Sequence, residues 1–452
     1  MSDLISSNNP SSFLKKFFGA GIESFESWGR YPKVQNQNEF IPYWLNEAIP
    51  YSSPLLAYGL GRSYGDCCLC DNGTIISTRN INRLISFDKE DGIIECDAGI
   101  SFSDLLEFIV PHGWFLPVTP GTRFVTLGGA IANDVHGKNH HREGTFGRHI
   151  IELELLRSDC KSLILSAGNN PEFFNATIGG IGLTGLITKA KIKLKKIHSA
   201  FIDAETIRFG NLNGFDKLSR ESDSTHEYTV AWLDGSSRGK SFGRGHFIRG
   251  NHSEEGALVP GKKNPSITIP CDFPEFFLNR LSIRAFNETY FRKPLANSKI
   301  HYSPFFYPLD VLGKWNRIYG KRGFFQYQCV IPETAGIPAI HDLLETGIKL
   351  GTGSFLTVLK HFGELKSPGM LSFPMKGYTI TMDFPFEKLK SIELIKRLDA
   401  ITRSAGGRVY TAKDAGSADD LYYSSFNIEK FEKFIDPAFS SNLWRRVKRS
   451  RV

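Results

Sequence analysis

The chain has 452 residues, which exceeds the size of one ordinary domain and indicates two or three domains. Hydrophobic residues make up 41% of it and charged residues 23%, and the absence of any run of about 18 apolar residues excludes a transmembrane helix. The formal net charge of +8 favours acidic partners such as phosphates or anionic lipid surfaces. Nucleic acid is not an expected partner, because no recognised nucleic-acid-binding motif accompanies the charge.

The seven cysteines predict free thiols rather than a metal site or a disulfide framework. Cys67, Cys68 and Cys70 are crowded and the other four are isolated, and no paired Cys-x2-Cys sets with histidines occur. Free thiols are typical of a reducing compartment. The segment Met1–Phe18 lacks a basic stretch followed by an apolar core, so no signal peptide is expected. These features predict a cytoplasmic location.

The predicted elements fall into three stretches of the chain. Up to residue 198 we predict strands at Gly73–Thr78, Ile93–Ala98, Ile150–Arg157, Leu163–Ser166 and Ile187–Lys196, with helices at Ser101–His112 and Pro171–Ala176. Ser101 or Ser103 caps the first helix and Gly113 ends it. Residues 199–407 hold long strands, aromatic clusters and amphipathic helices, of which Ile340–Leu350 and Leu389–Ser404 are the clearest. A compact segment, Arg408–Asp414, follows.

The three stretches differ in their pattern of strands and helices. This difference predicts an outer domain, formed by residues 1–198 and 408–452, into which a second domain of residues 199–407 is inserted. The C-terminal tail, from Trp444 to Val452, carries a basic run of Arg445, Arg446, Lys448, Arg449 and Arg451. Two interpretations stay open for this run. It is either a solvated terminus or a contact with an anionic membrane surface.

Three glycine-rich segments carry the chemistry. In the first, Tyr58–Asp66, glycines at alternate positions allow backbone N–H groups to turn towards one anion, although a tight hairpin is the alternative. The second, Pro120–Lys138, has small residues from Gly128 to Ala132 that allow close approach of a ligand, and then a polar His-Gly-Lys-Asn-His-His run. The third, Thr177–Ile187, has four glycines in seven positions before a strand. No metal site is predicted in the second segment, because Asp134 is its only acidic residue.

The order of these segments resembles the flavin-binding domain of the vanillyl-alcohol oxidase family, and within it the decaprenylphosphoryl-β-D-ribose oxidases of cell-wall arabinose synthesis. The resemblance covers nearly the whole chain. Its more specific motifs are His-Gly-Lys-Asn-His-His at residues 136–141 and Tyr-Thr-Ala-Lys-Asp at residues 410–414. It implies an α+β, two-domain PCMH-type FAD-binding fold, with an inserted substrate domain built on an antiparallel sheet.

The resemblance also implies the residues that hold FAD. They are Gly59, Gly61, Arg62, Ser63, Tyr64, Gly65, Asp66, Gly121, Thr126, Leu127, Gly128, Gly129, Asn133, Asp134, His136, Ile187 and Tyr410. Many relatives attach FAD covalently through a histidine in the first segment. Arg62 occupies that place here, so non-covalent FAD is expected.

The reaction implied by the resemblance is hydride removal from a secondary carbinol carbon, with a fixed cation stabilising the charge that develops on the flavin. Lys413 is the expected cation. A base must also take the hydroxyl proton, and His136, Tyr64 and Lys413 itself remain candidates.

The matching substrate-pocket positions are Gln328, Lys360, Phe362, Trp232, Trp315, Thr381 and Lys413. The chain departs from the mycobacterial members at Thr381, where they have cysteine, and at Thr379, where they have asparagine. These departures leave the sugar and lipid preference less defined than the chemistry.

The expected substrate is a polyprenyl-phosphate-linked pentose, oxidised at C2 in the first half of an epimerisation to the arabinose form. The resemblance implies a short-chain NADH-dependent reductase as the partner that completes it. A lipid-linked substrate also suits peripheral contact with the inner face of a membrane. The alternatives are a sugar-lactone or alditol oxidase acting on soluble substrates, and a flavin-free protein that binds phosphorylated glycans.

Overall fold

The computed structural model describes residues 25–44, 47, 49–50, 54–160, 162–295 and 297–449. Our expectations for Met1–Phe18 and for the last three residues lie outside these ranges. Among the helices that the structure describes, none combines the length and apolar character that a bilayer-spanning segment requires.

The N-terminal half is built on two sheets. A parallel sheet has the strand order Gln37–Phe40, Gly73–Ser77 and Leu55–Tyr58. An antiparallel sheet has the order Leu84–Asp88, Ile93–Asp97, Leu186–Lys193, Ile150–Leu156 and Leu163–Leu165. A short pair, Trp114–Phe115 with Lys195–Lys196, lies beside them.

Local signals fix the helices of this half. Ser101 caps Phe102–Ile109 by accepting the N–H of Asp104, and Gly113 ends the turn that follows with a φ of 80°. The other helices are Leu127–Ala132, His140–Glu143 and Pro171–Thr177, with 3-10 turns at Asp66–Cys68, Val110–His112 and Phe146–His149. Apolar residues of the first helix and the antiparallel sheet share one buried core.

The second half is built on one eight-stranded antiparallel sheet. Its strand order is Ser298–His301, Phe201–Phe209, Gly245–His252, Tyr228–Gly235, Ser354–Phe362, Gly377–Pro385, Phe324–Pro332 and Arg408–Val409. Three helices, Leu212–Asp223, Gly336–Leu350 and Leu389–Ser404, pack on one face of this sheet. The α+β prediction is confirmed.

Side-chain alternation gives the sheet two different faces. On Phe324–Pro332, Tyr327 and Cys329 point into the core under the helices, whereas Gln326 and Gln328 point the other way. On Ser354–Phe362, Leu359 joins that core and its neighbour Lys360 lies on the opposite face. The polar residues therefore gather on the face that the helices leave open.

The remaining elements surround this open face or return to the first half. They are the helices Arg280–Arg292, Tyr302–Phe306, Asp419–Ser425, Ile428–Glu432 and Asn442–Arg449, the 3-10 turns Gly239–Ser241, Glu275–Phe277, Pro308–Val311 and Trp315–Tyr319, and the short strands Ile267–Thr268 and Leu312–Gly313. The last helices share a core with Ile181 and Leu183 of the third glycine segment. Arg408–Val409 pairs with Phe324–Pro332, so the second sheet extends two residues beyond the predicted insertion. The domain boundaries stay predictions.

Candidate active site

A cavity of about 840 Å³ lies between the glycine-rich segments and the open face of the eight-stranded sheet. Of the predicted site residues, the cavity wall includes Gly59, Gly61, Arg62, Ser63, Tyr64, Gly121, Thr126, Gly128, Gly129, Asn133, His136, Ile187, Trp232, Trp315, Gln328, Lys360, Thr381, Tyr410 and Lys413. These residues come from both halves of the chain. The structure thus brings the predicted cofactor and substrate positions to one space.

The first glycine segment forms a loop whose backbone N–H groups are partly available to a ligand. Gly61 has a φ of 62°, the left-handed region that glycine adopts readily. The backbone N–H groups of Gly59, Gly61 and Ser63 have no acceptor among the described residues. Such a row of N–H groups suits an anion such as a pyrophosphate.

The second glycine segment leaves room for a ligand. Thr126 caps Leu127–Ala132 by accepting the N–H of Gly129. A Cβ added at Gly121 would have no atom within 4 Å. The side-chain oxygen of Asn133 is buried without a partner in the described chain, so it can accept a hydrogen bond from a bound group. These observations fit a cofactor at this end of the cavity.

Two predicted cofactor residues, Gly65 and Asp66, do not line the cavity. A Cβ on Gly65 would overlap the carbonyl oxygen of Asp414, so this glycine allows two backbones to approach. The Asp66 carboxylate lies 3.0 Å from Arg446 Nε. Both residues hold the loop from behind rather than facing the ligand space.

Leu127, Asp134 and Phe362 also lie behind the wall. Leu127 is fully buried, and its N–H donates to Ile100. Asp134, also fully buried, accepts hydrogen bonds from Ser372 and from the N–H of Gly147, at 2.5 and 2.8 Å. Phe362 packs against the His136 ring, with 5.0 Å between centroids. Their contacts position the wall residues, although we predicted that they touch ligand.

Lys413 reaches the cavity from the turn that follows Arg408–Val409. Its Nζ lies 3.5 Å from the centroid of the Tyr64 ring, and the N–H of Tyr64 donates to Ala412 at 2.8 Å. Burial lowers the pKa of Lys413 to about 7, although the nearby Asp383 carboxylate opposes this shift. A lysine with such a pKa exchanges a proton near neutrality.

Asp383 lies behind the cavity wall and acts on Lys413, and sequence reasoning missed it. It accepts a hydrogen bond from Gln326 Nε2 at 2.5 Å, and the Tyr319 hydroxyl lies 3.5 Å away. Burial raises the pKa of Asp383 to about 7, and the charge of Lys413 opposes the rise. A signal was present, because Asp383 stands two residues after Thr381 and strand alternation puts both on one face.

His136 has one nitrogen engaged and one available. Gln328 Nε2 donates to His136 Nε2 at 3.1 Å, which leaves the ring proton on Nδ1. Nδ1 is buried and has no partner within the described residues. Burial, reinforced by Lys360, holds the pKa of His136 well below its usual value, so the ring is neutral. It can therefore donate a hydrogen bond to a bound ligand.

Aromatic residues complete the wall. Tyr410 donates to the backbone carbonyl of Asn133 at 3.0 Å. Trp232 donates from Nε1 to the Phe355 carbonyl at 3.0 Å and lies 4.6 Å from the Tyr290 ring. These hydrogen bonds restrain the orientations of Tyr410 and Trp232 in the wall. Within the described ranges, no three His, Cys, Asp or Glu side chains gather as a metal site.

The basic tail has a structural use. Arg446 lies 2.7 Å from Asp414, and Arg445 Nη1 donates to the Asp71 carbonyl at 2.6 Å. Lys448 pairs with Glu432 at 2.7 Å. Arg445 and Arg446 are thus tied into the fold, whereas the Lys448 side chain is 45% exposed and meets solvent. Contact of this tail with a membrane stays a prediction.

Known proteins share both the cofactor domain and most of the chain. Residues 43–166 match the family model described as FAD binding domain. The chain is 35% identical over 412 residues to decaprenylphosphoryl-beta-D-ribose oxidase of Mycolicibacterium smegmatis, covering 87% of this chain and 89% of that protein. It is 28% identical to an uncharacterized protein in the mprA 5' region of Streptomyces coelicolor, over 77% of this chain and all of that protein.

A lactone oxidase is a more distant relative. D-arabinono-1,4-lactone oxidase of Kluyveromyces lactis is 23% identical over 46% of this chain and 40% of its own length. The glycine-lined cavity and these likenesses agree on FAD as the cofactor. The chain therefore belongs to the decaprenylphosphoryl-β-D-ribose oxidase family and is an FAD-dependent oxidoreductase acting on CH–OH groups.

Proposed function

We propose that this enzyme oxidises the C2 hydroxyl of a polyprenylphosphoryl pentose, such as decaprenylphosphoryl-β-D-ribose, to the 2-keto sugar. The proposal rests on the way in which the chemical character of the wall changes along one cavity. In the order of the strands, the wall passes from the side of Lys413 to the strand of Lys360 and then to mainly apolar side chains, and the glycine loops line the cavity opposite the sheet. A substrate in which a sugar, a phosphate and an isoprenoid chain follow one another matches this order of polar, basic and apolar surfaces.

The apolar end supports a lipid tail. It is lined by Val230, Trp232, Ile248, Tyr290, Ile300 and Phe305. Four of them lie on three of the four strands farthest from Lys413, and the other two lie on the helices Arg280–Arg292 and Tyr302–Phe306. Burying an isoprenoid chain against such a surface contributes about 25 cal/mol for each Å² of apolar area removed from water. Free pentoses, lactones and alditols would leave this surface empty.

The residues of the catalytic end have separable tasks. Bound FAD supplies the oxidising power by accepting the carbinol hydrogen as a hydride. Lys413 Nζ, neutral in part near pH 7, takes the hydroxyl proton, and the resulting ammonium stabilises negative charge beside it. Burial raises the pKa of Tyr64 well above its usual value, so its hydroxyl is a hydrogen-bond donor rather than a base. Gln328 orients the neutral His136 ring.

FAD is held without a covalent bond in this proposal. Arg62 stands where many relatives carry the histidine that forms the link. Its guanidinium lies 4.0 Å from the Trp28 ring centroid, and its Nε donates to the Phe124 carbonyl. These contacts hold the cofactor-binding loop in place by packing. The loop therefore does not depend on a covalent bond to FAD for its position.

The test is anaerobic bleaching of the bound flavin, followed at its absorbance near 450 nm. Polyprenylphosphoryl ribose is expected to bleach it, and free pentoses, lactones and alditols are not. Denaturing the same sample should release all FAD into the supernatant. Bleaching by the soluble compounds alone would instead identify a lactone or alditol oxidase, and absence of FAD from the purified protein would favour a flavin-free binding protein.

The product has consequences for partners and location. A 2-keto sugar becomes the arabinose form when a hydride is delivered to the opposite face, so a short-chain NADH-dependent reductase is the proposed partner. A lipid-linked substrate also brings the enzyme to the inner face of a membrane. We propose that the enzyme contacts the membrane peripherally there.

A further inference from the structure

Two lysines on the cavity wall, Lys138 and Lys360, have no acidic partner among the residues that the structure describes. Lys138 Nζ donates to the Phe306 carbonyl at 3.2 Å, and Lys360 Nζ lies 3.5 Å from the Gly137 carbonyl. Within the part of the chain that the structure describes, no carboxylate comes within ion-pair distance of either ammonium group. Buried cations are normally paired, so this arrangement requires an explanation.

The fold holds both lysines firmly in this position. The carbonyl of Lys138 accepts the N–H of Thr229 at 2.9 Å, which joins its loop to the strand Tyr228–Gly235. Lys360 lies on the open face of the sheet, on the strand beside the one that carries Thr381. The ring centroids of Phe305 and Phe306 lie 5.5 and 5.6 Å from Lys138 Nζ. Both side chains therefore meet the same interior space.

The electrostatics of this space favour an anion. Burial lowers the pKa of Lys138 to about 8. Burial, together with the charges of Lys138 and Lys413, lowers the pKa of Lys360 to about 7. Asp383 opposes the lowering of the pKa of Lys413, whereas among the described residues only lowering influences act on the pKa values of Lys138 and Lys360. A bound anion would raise both pKa values and relieve the repulsion.

We propose that Lys138 and Lys360 form the subsite for the phosphate of the substrate. This inference rests on the proposed function and adds to it the place where the phosphate binds. The order of strands supports it, because the strand of Lys360 separates those of Gln328 and Thr381 from those that carry the apolar end. Gln328 and Lys360 stand two strand spacings apart, about 10 Å, which accommodates a pentose and its phosphate.

The experiment uses the FAD-loaded enzyme and farnesyl phosphate as a probe without a sugar. Its binding is measured by calorimetry beside that of farnesol, which has the same tail and no phosphate. Lys138→Met and Lys360→Met are each expected to weaken farnesyl phosphate binding about 10- to 100-fold, the usual loss for one charge-assisted hydrogen bond. Farnesol affinity should stay within about 3-fold, since a methionine stem of similar length keeps the packing.

The controls separate recognition of phosphate from a structural role. Lys396→Met changes an exposed helical lysine and should leave both affinities unchanged. Lys360→Arg should retain most of the farnesyl phosphate affinity, because the charge stays. Wild-type affinity for farnesyl phosphate in both methionine variants would overturn the proposal. So would inorganic phosphate that binds as tightly as farnesyl phosphate, because the site would then take free phosphate rather than a lipid headgroup.

Failure of this subsite is distinguishable from failure of the proposed function. If polyprenylphosphoryl ribose bleaches the flavin, the two methionine variants should need about 10- to 100-fold more of it for half-saturation, with a similar limiting rate. Unchanged half-saturation in both would remove the subsite and leave the function intact. Farnesyl phosphate binding that depends on both lysines, without bleaching by the ribose compound, would retain the subsite and remove the function.

Discussion

Replacing Lys413 with methionine is expected to slow flavin reduction by saturating substrate about 10²- to 10³-fold, the usual cost of removing one preorganised charge-stabilising group. Lys413 lies on the cavity wall 3.5 Å from the Tyr64 ring centroid, and its pKa of about 7 suits proton exchange. The change removes both the proposed base and the cation that it becomes. Stopped-flow absorbance near 450 nm under anaerobic conditions measures the rate.

Two further variants show which task of Lys413 matters. Lys413→Arg keeps a positive charge but cannot act as a base, so its rate should remain low if proton transfer limits the reaction. Asp383 holds the pKa of Lys413 up, so Asp383→Asn lowers that pKa further. The rise of rate with pH, as the neutral amine forms, should then move to lower pH than in the wild type. A wild-type rate in Lys413→Met, with FAD fully retained, would contradict the assigned role.

Local signals in the sequence were enough for much of the fold. The helix Phe102–Ile109 begins after Ser101 and ends before Gly113, because a capping hydroxyl and a glycine act on their own neighbours in the chain. The bounds of Leu389–Ser404 were also predicted to the residue, from its amphipathic pattern, although no side chain caps its first turn. The full extent of the second sheet could not be predicted from local sequence, because its edge strand Arg408–Val409 forms only by pairing with a strand far away in the chain.

The site shows the same division between near and distant partners. Gly61 lines the cavity through a conformation that the sequence itself suggests. Asp134 stands within a matching motif, yet its carboxylate is taken by Ser372, more than 200 residues later. Asp383 was overlooked although it shares a strand face with Thr381, because its contact with Gln326 and its effect on Lys413 arise only in the folded chain. The sequence motifs thus indicated where the ligand cavity lies. Which of their side chains face that cavity depends on tertiary contacts.

Arg446 shows how a terminal charge supports this space from behind. It lies 3.0 Å from Asp66, behind the first glycine loop, and 2.7 Å from Asp414, the residue next to Lys413. Both aspartates are buried, each with 4% of its surface exposed. The helix Asn442–Arg449 therefore ties the cofactor loop to the turn that carries the proposed catalytic lysine, through one guanidinium.

Arg446→Met is accordingly expected to lower the free energy of unfolding by about 3–5 kcal/mol, because it leaves two buried carboxylates without their cation. FAD should also dissociate more readily, since the loop and the turn lose their common partner. Urea denaturation followed by flavin fluorescence measures both effects. The matched control is Lys448→Met on the same helix, where the 2.7 Å pair with Glu432 is partly exposed and contributes under about 1 kcal/mol. Equal stability of the two variants would mean that the helix does not hold the site together through this arginine.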